Sequence, residues 1–190
     1  TWSCEEEFKY NNQLVIDSSI KEEVVKYVKG LSKATSDSQS YLYDNNIMFD
    51  YFVDDSLKLS FKDQGYKTLC TTFHRKTDDA ILMTAEYDLL GGVGHAIRLV
   101  KDEVNVYYIV SAKREASSYA LNPSDVLAQQ LYIPCSNFNL VLSQIPKGDL
   151  NESIYGMLEF ETDDFYKKDK RTKELKKEKI LYKINLFSQF

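Results

Sequence analysis

Few side chains in this sequence combine a type and a spacing suited to bond-making chemistry. Cys4 and His95 come first, because a thiolate activated by an imidazole base can attack a carbonyl carbon. Glu5, Glu6 and Glu7 follow Cys4 directly, and their negative field raises a neighbouring thiol's pKa and holds back the thiolate. The other cysteines read as structural. Cys70 lies in an apolar stretch and Cys135 just before one, so both are expected to be buried free thiols. His74, Asp78 and Asp79 are metal-ligand types, but two adjacent carboxylates at a turn point apart. Gly91-Gly92-Val93-Gly94 could offer backbone N–H groups to an anion. Phosphate cradles, however, lead into a helix, and His95–Val100 reads as a strand. A bulged or flexible connection, a candidate mobile rim, is the expectation there. Asp54-Asp55 and Asp163-Asp164 sit at strand ends, where charged turn residues account for them. These residues nominate no catalytic, cofactor-binding or metal site.

The elements that would position such groups are mostly strands. Leu57, Leu59 and Phe61 alternate with Lys58, Ser60 and Lys62, as in a strand with one wet face. Tyr66–Phe73 and Ala80–Tyr87 flank a polar turn, and His95–Val100 and Val104–Val110 flank Lys101-Asp102-Glu103. Phe138–Leu142, Tyr155–Glu161 and a closing strand from Ile180 continue the pattern, the last two pairing across the basic run between them. Two helices are predicted. Ser19 and Glu22 form a capping box for one over 19–30, with Ile20, Val24, Tyr27, Val28 and Leu31 on its apolar stripe and Gly30 as a left-handed cap. Asn122-Pro123-Ser124-Asp125 signals another over 123–131. Residues 1–12 read as an extended acidic lead-in and 13–190 as a single domain. The expected fold is mainly β, an antiparallel sandwich or partly closed barrel with two short helices.

Composition bounds the partner. The 190 residues carry 14 Tyr and 10 Phe but only 7 Gly and 3 Pro, a bias that favours strands. Formal charge is -5, yet Tyr166 to Lys179 holds eight Lys or Arg against Asp169, Glu174 and Glu178, a local +5. The remainder therefore carries -10 by difference, which disfavours nucleic acid as a partner of the body. The basic run has Leu175 as its one aliphatic residue. Lys167 to Lys179 is thus expected to be a solvent-exposed connection, and deletion of residues 169–177 to shift stability by no more than about 1 kcal/mol. No apolar run reaches the ~18 residues of a membrane helix. Asn151-Glu152-Ser153 matches a glycosylation acceptor.

Two resemblances give these residues a setting. Trp2-Ser3-Cys4 and Gly94-His95-Ala96-Ile97 resemble the nucleophile and histidine segments of papain-like cysteine proteases, which implies a thiol hydrolase using Cys4 and His95. Cys4-Glu5-Glu6-Glu7 resembles the mature start of a Bacteroidota-type surface lipoprotein. Ile154–Glu161, Asp163-Asp164-Phe165-Tyr166, the Lys-rich turn and the closing strand are similar to the last hairpin of small β-rich members of that group. That likeness implies a lipid anchor at Cys4 and an envelope location. A secreted viral or parasite decoy domain is the comparably compact alternative, with Cys4 in a disulfide. The expected function is a non-enzymatic binding domain, at a cell surface or secreted, whose partner is a protein or glycan. Tyrosines facing outward on one sheet would make its contact surface.

Overall fold

A computed structural model of the chain describes residues 13–34, 40–87, 93–100, 103–112, 118–147, 149 and 151–189. Cys4, Gly91, Gly92 and the 1–12 lead-in lie outside these residues. The described elements are β1 (Gln13–Ile16), α1 (Ile20–Tyr27), β2 (Lys29–Lys33), β3 (Ser40–Val53), β4 (Ser56–Arg75), β5 (Ala80–Tyr87), β6 (Val93–Val100), β7 (Glu103–Ser111), β8 (Tyr119–Ala120), β9 (Gln130–Pro134), β10 (Asn137–Leu142), β11 (Ser153–Glu161), β12 (Phe165–Lys168) and β13 (Leu175–Gln189).

All strands belong to one sheet, mainly antiparallel and not closed into a barrel, in the order β1-β10-β11-β13-β3-β4-β5-β6-β7-β9. β1 beside β10 is a parallel pair. The sheet doubles over, so strands far apart in that order face each other. His95 on β6 lies 6.0 Å from the Phe160 ring on β11 and 5.9 Å from Tyr182 on β13, and Tyr108 on β7 lies 6.0 Å from Phe160. β3 and β4 cross between the two layers. Met48–Val53 of β3 pairs with β13, whereas its Tyr41–Asp44 stretch pairs with β2. A register shift between Ile47 and Met48 marks the bend. β4 also absorbs both strands expected between Leu57 and Phe73 into one span. The mainly β, sandwich-like architecture is the expected one.

Two helix expectations need correction. α1 stops at Tyr27 because Val28 is extended and Lys29–Lys33 is drawn into pairing with β3. Gly30 does have φ +63, but inside β2, and Leu31 is exposed rather than part of a helical stripe. Ser19 makes no side-chain cap. Asp17 instead accepts from the Ser19 N–H at 2.9 Å and from its hydroxyl at 2.7 Å. Ile20 and Val24 are buried, and α1 lies against β11 and β13 with Lys21 Nζ 5.1 Å above the Tyr155 ring.

The second helix is absent. The Asp125 carboxylate accepts from the Asn122 N–H at 2.8 Å and from its Nδ2 at 3.0 Å, closing a local turn. Val126 is 94% exposed, and Leu131 pairs with Val110 in β9. Cap-type residues close a single turn here, with the Asp125 N–H also donating to the Asn122 carbonyl at 3.0 Å, and no apolar stripe carries a helix onward.

The basic run is also not a loose connection. Lys167 and Lys168 sit in β12, Leu175 to Lys179 open β13, and the two strands pair directly. The hairpin tip of β3 and β4, Asp54 and Asp55, has φ 49 and 62, the left-handed pair that a two-residue turn needs. That tip holds the run. The Asp54 N–H donates to the Lys177 carbonyl at 2.8 Å, and Lys177 Nζ lies 2.7 Å from the Asp55 carboxylate.

Candidate interaction face

The groups singled out for chemistry do not converge. His95 is fully buried among Phe160 and Tyr182, and burial pushes its pKa down to about 3, so it is neutral at ordinary pH. Its thiol counterpart, Cys4, is outside the described residues. Cys70 and Cys135 are buried free thiols, as expected, and burial pushes the Cys70 thiol up to about 12. His74 Nε2 is 2.7 Å from Asp79, while Asp78 turns to Arg75 and Arg98, so the adjacent carboxylates do separate. Among the described residues no cluster of three or more His, Cys, Asp or Glu could hold a metal ion. Gly94 sits inside a regular ladder opposite Glu86 and Ile109. A Cβ there would lie 3.0 Å from the Ala85 carbonyl, so close strand packing accounts for this glycine.

What the structure does assemble is a contrast between two outer faces. Directly opposed residues in neighbouring strands share a face. On the layer of β10, β11, β13 and the distal half of β3, the outward rows are charged and internally paired. Lys183 lies 2.6 Å from Glu159, and Lys179 lies 2.9 Å from Glu161 and 3.5 Å from Asp164. α1 covers another part of that face.

The layer of β4, β5, β6, β7 and β9 is different. One outward row runs Thr71, Thr84, Ala96, Tyr107, Pro134, and the next Leu69, Glu86, Gly94, Ile109, Tyr132. A third runs Phe73, Leu82, Arg98, Asn105. Phe73 is 41% and Tyr132 52% exposed, and Leu69, Thr71, Leu82, Thr84, Ala96, Tyr107 and Ile109 are part-exposed. Only Glu86 and Arg98 bring charge to these rows. Arg98 is tied at the margin, donating to Asn105 Oδ1 at 3.1 Å and to Asp78 Oδ2 at 3.2 Å.

Tyr107 and Tyr108 do face opposite sides of their strand, the first outward and the second in the core. The crowded aromatics Tyr41, Tyr43 and Phe49 are buried, and the Tyr51 hydroxyl donates to Glu178 at 2.6 Å. The face itself went unnoticed in the sequence, although a signal existed. Leu69-Cys70-Thr71-Thr72-Phe73, Ala80-Ile81-Leu82-Met83-Thr84-Ala85 and Tyr107-Tyr108-Ile109-Val110 break the apolar–polar alternation. Runs of that sort belong to strands covered on both sides. Here no element among the described residues covers one side. No helix among the described residues is long and apolar enough to cross a membrane. No protein-family model, curated protein or solved structure matches the chain.

Proposed function

We propose that this chain is a non-enzymatic binding domain, exposed at a cell surface or secreted, that engages a protein through the outer face of β4, β5, β6, β7 and β9. The observation that carries the reading is the scarcity of charge in the three outward rows, where only Glu86 and Arg98 are charged, beside a companion layer on which Lys183 pairs with Glu159 and Lys179 with Glu161. Charge depletion with aromatic anchors distinguishes the centre of a protein interface from ordinary surface. Phe73, Tyr107 and Tyr132 supply rigid apolar area of the kind that dominates binding energy. Leu69, Phe73, Leu82 and Ile109 add aliphatic and aromatic area to the face, which favours a protein over a glycan. The surface or secreted location rests on the likeness of Cys4-Glu5-Glu6-Glu7 to a lipoprotein start. The rival reading, a thiol hydrolase using Cys4 and His95, gains no support from a histidine wholly shielded from solvent.

The test is capture from an envelope or extracellular fraction by the intact chain, by Phe73→Glu/Tyr132→Glu, and by Lys62→Glu, which lies outside the three rows at the end of β4 that pairs with the distal half of β3. The proposal expects a specific protein to be retained by the intact chain and by Lys62→Glu, and lost with the double variant. Equal capture by all three folded proteins overturns it.

A further inference from the structure

We infer that the turn joining β12 to β13 is a second binding site, for a sulfated glycan chain, independent of the protein-binding face. The fold sorts the charges of the basic run into two groups. Those in β13 are neutralised internally: Lys176 lies 3.3 Å from Glu174 and 3.9 Å from Asp54, Lys177 reaches Asp55, and Lys179 reaches Glu161. Lys168, Arg171 and Lys173 at the turn stand outside those pairs. None of the ion pairs among the described residues uses Lys168, Arg171 or Lys173, and Arg171 and Lys173 are exposed. Lys167 stands nearby, its Nζ 5.7 Å from the Tyr119 ring centre.

The turn presents these cations on a fixed frame. The Asp169 carboxylate accepts from the Arg171 and Thr172 N–H groups, each at 2.8 Å. Its own N–H donates to the Glu174 carbonyl at 2.8 Å, and its carbonyl accepts from the Lys173 N–H at 2.9 Å. A carboxylate occupied by backbone donors offsets the local charge only in part. A pre-ordered set of cations also loses less entropy on binding than a flexible one.

The shape of the charge distribution selects the ligand. The remainder of the chain is acidic, -10 by difference from the total of -5, so a broad anionic surface pressed against this molecule also meets repulsion. A linear polyanion can touch the turn alone. Between Lys167 and Glu174 there is no apolar or aromatic side chain, and the nearby Tyr119 ring is occupied by Lys167 Nζ above it. Insertion into a bilayer and stacking on nucleobases both need such groups. Sulfate esters along a glycan need only cations in register.

Immobilised heparin, phosphatidylserine-containing vesicles and a single-stranded oligonucleotide separate these cases at pH 7 and low salt. The intact chain should be retained on heparin despite its net negative charge, and released by about 1 M salt, where the screening length falls to ~3 Å. K168Q/R171Q/K173Q, checked for an unchanged circular dichroism spectrum, should bind about tenfold more weakly or worse, and Phe73→Glu/Tyr132→Glu should bind normally. Flow-through of the intact chain, unchanged retention of the triple variant, or equal affinity for vesicles or oligonucleotide would each overturn the assignment.

Discussion

Asn45 and Asn185 bond to each other where β3 and β13 separate. Asn45 Nδ2 donates to the Asn185 carbonyl at 2.7 Å, and Asn185 Nδ2 donates back to Asn45 Oδ1 at 3.2 Å and to the Asn46 carbonyl at 3.3 Å. Beyond the Lys183–Met48 pair the two strands share no ladder, so β13 needs other partners for its buried backbone. The Tyr43 hydroxyl completes the substitution, donating to the Asn185 carbonyl and accepting from the Phe187 N–H, both at 3.2 Å. Side chains thus replace the ladder at the point where one layer becomes two.

Asn45→Ala should therefore destabilise the fold by about 2–3 kcal/mol, because it strands polar groups of Asn185 in the core. Urea unfolding should show a lower midpoint at unchanged slope. A change under about 0.5 kcal/mol would mean that the fork is satisfied in another way.

Gly156 is held by close approach. A Cβ at this position would lie 2.6 Å from Leu142 Cδ2 and 2.8 Å from the Val141 carbonyl. Leu142 can adjust, but the backbone carbonyl in the β10–β11 ladder cannot move freely. Gly156→Ala should lose about 1–3 kcal/mol by overpacking, measured as a drop in thermal midpoint.

His95 makes stability depend on pH with a defined sign. Its folded pKa of about 3 lies below the ordinary 6.5, so between those values the unfolded chain takes up a proton that the folded one does not. Stability therefore rises with pH across that window, and acidification from 6.5 towards 3 removes it, by several kcal/mol at ~1.4 per pH unit. His95→Phe should flatten this part of the profile relative to the parent chain. Parallel profiles for the two proteins would show that His95 does not drive it.

Deletion of residues 169–177 should destabilise the fold. It removes the start of β13 and the Lys177 contacts that hold Asp54 and Asp55. A loss of several kcal/mol is expected, by analogy with other broken hydrogen-bonded networks; a shift within about 1 kcal/mol would restore the loop reading.

Where neighbouring residues alone decide structure, the sequence was a reliable guide. The alternation at Phe138–Leu142 and Ile180–Leu186, the buried thiols of Cys70 and Cys135, and the divergence of Asp78 from Asp79 all follow from adjacent chemistry. Where a distant strand decides, it was not. Gly30 and Leu31 left a helix for β3, Leu131 left one for β7, and Lys176 and Lys177 were ordered by Asp54 and Asp55 more than a hundred positions away. The candidate face belongs to the second class. Thr71, Ala96 and Tyr132 are ordinary until pairing sets them side by side.

Hydroxyl-radical footprinting of the chain, alone and with its captured protein partner, tests the central claim most directly. Phe73, Tyr107 and Tyr132 should lose reactivity in the complex, while Tyr27 and Tyr155 on the α1 side keep theirs. Unchanged labelling of Phe73, Tyr107 and Tyr132, with protection elsewhere, would contradict the proposal that this face binds.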